Sequence, residues 1–151
     1  MGEMIFSKSK VPIILTPHLG EMARLLGKQK GVSVKTQEIE RNRINIPVSF
    51  AKETGTYLVL KGVPTIIAGP DRMAYINSTG NPGMASAGTG DVLTGMISAF
   101  LSQGLSPIHA SLLGVYMHGF AGDSAAAEKG EHPLIATDII EKIPALLKGR
   151  I

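Results

Sequence analysis

Asn77-Ser78-Thr79-Gly80-Asn81-Pro82-Gly83-Met84-Ala85-Ser86-Ala87-Gly88-Thr89-Gly90-Asp91 is a glycine-rich loop that closes on an acid, and an apolar-periodic segment follows at once. Glycine lets a backbone turn through positive φ and approach a ligand closely. Leu93, Met96, Ile97, Phe100 and Leu101 recur at helical spacing, so the segment after Asp91 reads as a helix with one apolar face. The first N–H groups of such a helix lack partners within it and carry the positive end of its dipole. The unit reads as an anion cradle with a carboxylate at its lip, which suits phosphate binding and proton abstraction. A second reading makes Asp91 a plain helix N-cap, a role aspartate fills well. A plain cap needs no such density of glycine upstream. The stretch is not a P-loop, because no Gly-Lys-Ser/Thr closes it. Nor is it a dinucleotide fingerprint: Asp91 and Val92 follow Gly88-Thr89-Gly90, and Leu93 stands where that pattern places a glycine.

Upstream of the loop, Ile13-Ile14-Leu15-Thr16 reads as a short buried strand broken by Pro17-His18-Leu19-Gly20. Glu21 to Leu26 predicts a helix stopped by Gly27. Residues 31–46 are polar and give no clear period. Pro47 to Thr54 predicts a helix with proline near its first turn and Gly55 at its close. Tyr57-Leu58-Val59-Leu60 and Thr65 to Ala68 read as strands, and Gly69-Pro70-Asp71 as a turn leading to a return strand at Met73 to Ile76. Downstream, Gly104 fits a C-cap and Ser106-Pro107 an N-cap with proline at the first helical position. Small and apolar residues fill nearly every face from Ile108 to Glu128, which predicts a helix buried on several sides. A last helix begins at Thr137-Asp138 and should bend at Pro144. The expected order is strand, two helices, three strands, then three helices. This is an α/β pattern with helices covering a sheet.

Composition narrows the function. The chain has 151 residues, enough for one domain with a sizeable core. Apolar residues make up 44% and charged residues 18%, ordinary for a globular chain. Aromatics at 5% and a net charge of +3 give no support to a nucleic-acid partner. The bases Lys28, Lys30, Lys35, Arg41 and Arg43 are interrupted by Glu38 and Glu40, and read as a solvated connecting segment. With no cysteine, disulfide and thiolate chemistry are excluded. His18, His109, His118 and His132 show no metal-ligand spacing. Met1 to Lys10 holds no apolar core of signal-peptide length. The apolar stretch around Ala110 to Phe120 is too short for a membrane span. The expected setting is the cytoplasm.

In open α/β sheets ligands collect beyond the carboxyl ends of the strands. His18 and Lys61 lie there by sequence. His18 is either a ligand contact or a histidine bonded to local backbone. Lys61 is either a phosphate-binding point charge or a surface lysine in a turn. Asn77 and Thr79 either offer hydrogen bonds to a base or ribose, or are turn residues. His118 and Asp123, in the buried helix, read as satisfied core or cap groups.

Taken together, Thr16-Pro17-His18-Leu19-Gly20-Glu21-Met22-Ala23-Arg24-Leu25-Leu26, Leu60-Lys61-Gly62 and the stretch from Asn77 to Asp91 with Val92-Leu93-Thr94-Gly95 resemble the ADP- or ATP-dependent NAD(P)H-hydrate dehydratases. Tyr116-Met117-His118-Gly119-Phe120-Ala121-Gly122-Asp123 and Leu134-Ile135-Ala136-Thr137-Asp138-Ile139-Ile140 continue the match, which runs from about Val11 to the C-terminus. A lone Gly-x-Gly-Asp would indicate only the wider ribokinase-like superfamily, with its sugar, vitamin and thiazole kinases.

The resemblance implies a ribokinase-like, three-layer α/β/α fold lacking its N-terminal strands. Residues 1–151 would then be the C-terminal portion of one incomplete carbohydrate-kinase-type domain. It implies repair of hydrated nicotinamide cofactors, NADHX and NADPHX, in which a nucleotide phosphorylates the ring hydroxyl and loss of phosphate restores NADH or NADPH. ADP or ATP would serve, with Mg2+. By the same resemblance Asp91 is the base and contacts the hydrate, and His18 contacts it too. Lys61, Gly62, Val63, Pro64 and Thr65 line the AMP moiety, and Gly90 touches the nucleotide. The reading of the residues alone adds the amides of Gly88 to Asp91 for the transferring phosphate and Asn77 and Thr79 at the loop's opening for the rest of the nucleotide. No residue is assigned to metal.

The chain departs from the family pattern at Ser86-Ala87, where many members carry another glycine, and at its front, where a substantial half is absent. The expected consequences are an exposed sheet edge and either homo-oligomerisation or pairing with a complementing N-terminal fragment. Two rival functions remain: a small-molecule kinase of the same superfamily, and a nucleotide-binding module without turnover.

Overall fold

In the computed structural model, which describes Phe6 and residues 9–148, the chain divides into two units, Met1–Asn77 and Ser78–Ile151. Most of the Met1 to Lys10 segment lies outside the described residues. The first unit holds β1 (Ile14–Leu15), α1 (Leu19–Lys30), α2 (Thr36–Arg41), α3 (Asn45–Thr54), β2 (Tyr57–Leu60), β3 (Ile66–Ala68) and β4 (Ala74–Ile76). Its sheet runs in the order β1-β2-β3-β4. β1 pairs parallel with β2, matching Ile14 to Tyr57. The strands β2, β3 and β4 form an antiparallel meander, with Val59 opposite Ile67 and Ile67 opposite Tyr75. β1 has β2 on one side and no strand on the other among the described residues, which places it at an edge of this sheet.

Alternation sorts the strand residues onto two faces. Leu58, Leu60, Ile66 and Ala68 join Met22 and Leu26 of α1, Ile39 of α2 and Phe50 and Ala51 of α3 in one core. Val59 and Ile67, on the opposite face, are buried as well. Burying a side chain of the size of Phe50 or Leu58 is worth roughly 1.5–3 kcal/mol relative to exposure, so this cluster is the main stabilising element of the unit.

Three helices, not two, precede β2. The polar stretch without a clear period contains α2, whose single buried residue is Ile39. One apolar contact per turn and a half is too little for periodicity to register. Gly27 does not stop α1. The helix runs on to Lys30 and is capped by Gly31 at φ 69°, the left-handed conformation glycine adopts without penalty. α3 ends as expected, with Gly55 at φ 67°.

The second unit begins with the glycine-rich loop, which contains a short 3-10 turn at Pro82–Met84. It continues with α4 (Thr89–Ser102), α5 (Pro107–Lys129) and α6 (Ala136–Leu147). Ser106 caps α5 by accepting from the His109 amide, with Pro107 at the first helical position. α5 packs against both α4 and α6. Ala121 and Ala125 of α5 meet Leu134 and Ile139 in a second core, with Met84 of the loop packed against it. α6 passes through Pro144 before ending at Leu147.

Candidate functional site

The loop delivers the helix start that its glycines foretell, and the second reading, Asp91 as a plain N-cap, is not met. Gly88, at φ 87°, is the N-cap of α4, and Asp91 is the third residue of the first turn. Asp91 therefore is not the cap. Its exposed side chain enters no hydrogen bond or ion pair among the described residues. A carboxylate here is favoured by the helix dipole.

Thr89 holds the loop in shape. Its buried side-chain oxygen donates to the carbonyls of Met84 at 2.8 Å and Ser86 at 2.9 Å. The amide of Asp91 is committed to the Gly88 carbonyl at 3.0 Å, and that of Thr89 reaches the Ser86 carbonyl at 3.5 Å. The Gly88 and Gly90 amides find no partner among the described residues. Among Gly88 to Asp91, the amides left available to a ligand are those of Gly88 and Gly90.

The loop's opening is tied to α5. The Asp123 carboxylate accepts from the Gly80 amide and from Asn81 Nδ2, both at 2.9 Å. Thr79 Oγ1 donates to the Tyr116 carbonyl at 2.9 Å, which commits its proton within the protein. His118, 8% exposed, lies on the same helix with Nε2 unpartnered, and burial lowers its pKa to about 4 against an opposing hydrogen bond to the Thr89 backbone. It is neutral at pH 7. The Asp123 anchor was visible in the sequence only as a cap or core group, because nothing local links it to a loop some forty residues away.

In the first unit His18 caps α1. Its Nδ1 accepts from the amides of Gly20 at 3.0 Å and Glu21 at 3.3 Å, which assigns the proton to Nε2. The Glu21 carboxylate returns the bond, accepting from the His18 amide at 2.8 Å, so the pair forms a capping box. That amide lowers the Glu21 pKa; partial burial opposes it, and the charge of Lys61 adds to it. Lys61 Nζ stands 3.9 Å from Glu21 Oε2, while the Lys61 amide donates to the Pro17 carbonyl at 2.9 Å. The Thr-Pro-His and Lys-Gly motifs are therefore joined through Glu21, a residue the sequence reading did not single out. A cleft of about 410 Å³ opens alongside, lined by Leu15, Thr16, Pro17, Glu21, Arg24, Leu25 and Lys28.

The Lys61–Thr65 segment is tightly held. Thr65 Oγ1 donates to the Gly62 carbonyl at 3.0 Å, the Thr65 carbonyl accepts from the Asn77 amide at 3.0 Å, and the Val63–Pro64 peptide is cis. Arg43 overturns its reading as part of a solvated segment. It is only 9% exposed, and its guanidinium donates to the carbonyls of Pro64 at 2.8 Å and Lys61 at 3.1 Å and to Glu40 Oε2 at 2.6 Å.

The comparisons place this chain by class and then by family. Its fold is that of the ribokinase-like proteins. A ribokinase-like superfamily protein from Enterococcus faecalis superposes with a TM-score of 0.72 at 29% identity, over 95% of this chain and 48% of that one. The NAD(P)H-hydrate dehydratase from Bacillus subtilis, co-crystallised with ATP/Mg2+ and soaked with CoA, superposes with a TM-score of 0.84 at 39% identity, over 91% and 48%. The family model described as NAD(P)H-hydrate dehydratase matches residues 2–145, and the chain belongs to that family. Among curated relatives, the bifunctional NAD(P)H-hydrate repair enzyme of Moorella thermoacetica is 48% identical over 91% of this chain and 25% of that protein. The ADP-dependent (S)-NAD(P)H-hydrate dehydratase of Bacillus subtilis is 36% identical over 98% and 51%. The chain thus spans about half the length of the single-function relative and a quarter of the bifunctional one.

Proposed function

We propose that this chain carries the nucleotide-handling side of an ADP- or ATP-dependent dehydration of NADHX and NADPHX. The observation that supports it most is the family match over residues 2–145 together with the start of α4, where two uncommitted amides precede an exposed carboxylate. Phosphoryl transfer is chiefly positioning and charge stabilisation. In this reading the Gly88 and Gly90 amides donate to the oxygens of the transferring phosphate, where the positive end of the helix dipole also favours charge. Asp91 takes the proton of the hydrate's ring hydroxyl as its oxygen bonds to phosphorus and the phosphoanhydride bond breaks. Inorganic phosphate then leaves with the carbon–oxygen electron pair while a neighbouring ring C–H gives up its proton to water, its electron pair forming the ring double bond. This restores NADH or NADPH.

Lys61 to Thr65 and the opening of the loop at Asn77 and Thr79 take the rest of the nucleotide. His18 presents its Nε2 edge to the hydrate while Nδ1 stays engaged in the cap. No group of three His, Asp or Glu side chains among the described residues could hold a metal ion. The residues therefore fit magnesium carried by the nucleotide phosphates, where it would neutralise charge, and not a protein cage. No helix among the described residues is long and apolar enough to cross a membrane, and the proposed setting is the cytoplasm. The proposed working form is a homo-oligomer or a complex with a complementary fragment of the domain.

The test is recovery of NADH absorbance from NADHX with ADP or ATP and magnesium. It is run with the chain alone and with the half of the Bacillus subtilis enzyme that this chain does not cover. Nucleotide-dependent recovery in either mixture is expected. No recovery together with no nucleotide binding by calorimetry refutes the reading. Asp91→Asn should lower turnover by about 100-fold or more with nucleotide affinity within about twofold. Full turnover in that variant removes Asp91 as the base.

A further inference from the structure

We propose that Arg43 is the residue that positions the Lys61–Thr65 segment for its nucleotide. The inference rests on the reading that this segment binds the AMP moiety. Three observations within the first unit carry it. First, the guanidinium spends two of its three nitrogens on the segment's own backbone, Nε on the Pro64 carbonyl at 2.8 Å and Nη2 on the Lys61 carbonyl at 3.1 Å. A planar fork can hold two carbonyls at a fixed separation, and a lysine ammonium on a flexible stem cannot.

Second, the contact is built from both sides. Gly62 adopts φ 140°, and a Cβ there would lie 1.9 Å from Nη2, so the guanidinium fills the space that a side chain at this position would need. Third, the carbonyls of Lys61, Gly62 and Pro64 are all engaged within the protein, whereas the Gly62 and Val63 amides meet no partner among the described residues. Four of the segment's five carbonyls, all but that of Val63, are therefore occupied while the Gly62 and Val63 amides stay available, an arrangement that suits an anionic or acceptor-rich ligand.

Arg43 belongs to the corner between α2 and α3 and acts on the segment through its backbone, as a positioning residue. The pair it makes with Glu40, which is half-exposed, fixes the third nitrogen and leaves the fork aimed at the segment.

AMP and ADP are titrated by calorimetry into the wild-type chain and into Arg43→Lys, each shown folded by circular dichroism at the titration temperature. Both nucleotides should bind the variant about tenfold more weakly, by the same factor, equivalent to about 1.4 kcal/mol. The common factor arises because the lost contact serves the AMP moiety they share. An Arg43→Lys chain that is less stable but binds AMP as tightly as the wild type overturns the inference and leaves the nucleotide reading standing. A wild-type chain that binds neither nucleotide overturns both. If Arg43→Lys does not fold, Gly62→Ala probes the same contact from the segment side. AMP binding weakened about tenfold supports the inference. Unchanged AMP binding overturns it.

Discussion

Acidification should weaken the fold through one residue, His118. The side chain is 8% exposed, Nε2 has no partner, and burial lowers its pKa to about 4 from an ordinary 6.5. The neutral ring is therefore the folded form, and between pH 6.5 and pH 4 the unfolded chain binds more protons than the folded one. Stability rises with pH wherever the unfolded state binds more protons. The contribution is fully present above pH 6.5, is lost progressively as pH falls toward 4, and changes no further below that. With about 1.4 kcal/mol per pKa unit, the loss between pH 7 and pH 4 amounts to about 3 kcal/mol. Urea unfolding of the wild type and of His118→Gln at pH 7, 6, 5 and 4 isolates it, because every other group titrates in both proteins. The wild type should lose about 3 kcal/mol more than the variant across this range. Equal losses would show that the ring is hydrated or paired and that the burial argument is wrong.

Three further outcomes follow from the packing. Phe50→Ala should cost about 3–5 kcal/mol in urea unfolding, because Phe50 is 1% exposed at the centre of the first core. Asp123→Ala removes the acceptor of two bonds to the loop and should cost about 2 kcal/mol. The same variant should speed hydrogen exchange at the Gly80 amide, and unchanged exchange there would show that the loop holds its shape without the anchor. Gly55→Ala should cost about 1–2 kcal/mol from backbone strain alone, since φ is 67° and nothing lies within 4 Å of the added methyl. A cost near zero would show that α3 can shift its end.

The legible parts of the sequence were those governed by local chemistry. Gly55, Ser106-Pro107 and the Gly69-Pro70-Asp71 turn mark element ends that appear where expected, because caps and turns are fixed by the residues that form them. Gly27 misled for a related reason: either Gly27 or Gly31 could end α1 by composition, and only the backbone conformation of Gly31 distinguishes them. At the site, the helix start after the glycine loop was legible, and the alternative that made Asp91 its cap fails because Gly88 holds that place. Arg43, Glu21 and the anchoring role of Asp123 were not legible. Each acts across a gap in sequence, on Lys61 and Pro64, on Lys61, and on Gly80 and Asn81 respectively. A charged residue in a polar stretch looks solvated until the fold brings a carbonyl to it.

The way β1 joins the sheet has a consequence for the order of folding. The meander closes over the short connections Lys61–Thr65 and Gly69–Met73, whereas β1 reaches β2 only across residues 16–56. Closing the longer loop costs on the order of 2 kcal/mol more in chain entropy, before the intervening helices shorten it. Non-local pairings form late for this reason. The two residues of β1 return little for that cost, so the hairpins of β2 to β4 can assemble first and recruit β1 once α1 to α3 have docked. Amide exchange should find the Ile14 and Leu15 pairing the quickest of the sheet to open, a local release at a strand edge that leaves the meander intact.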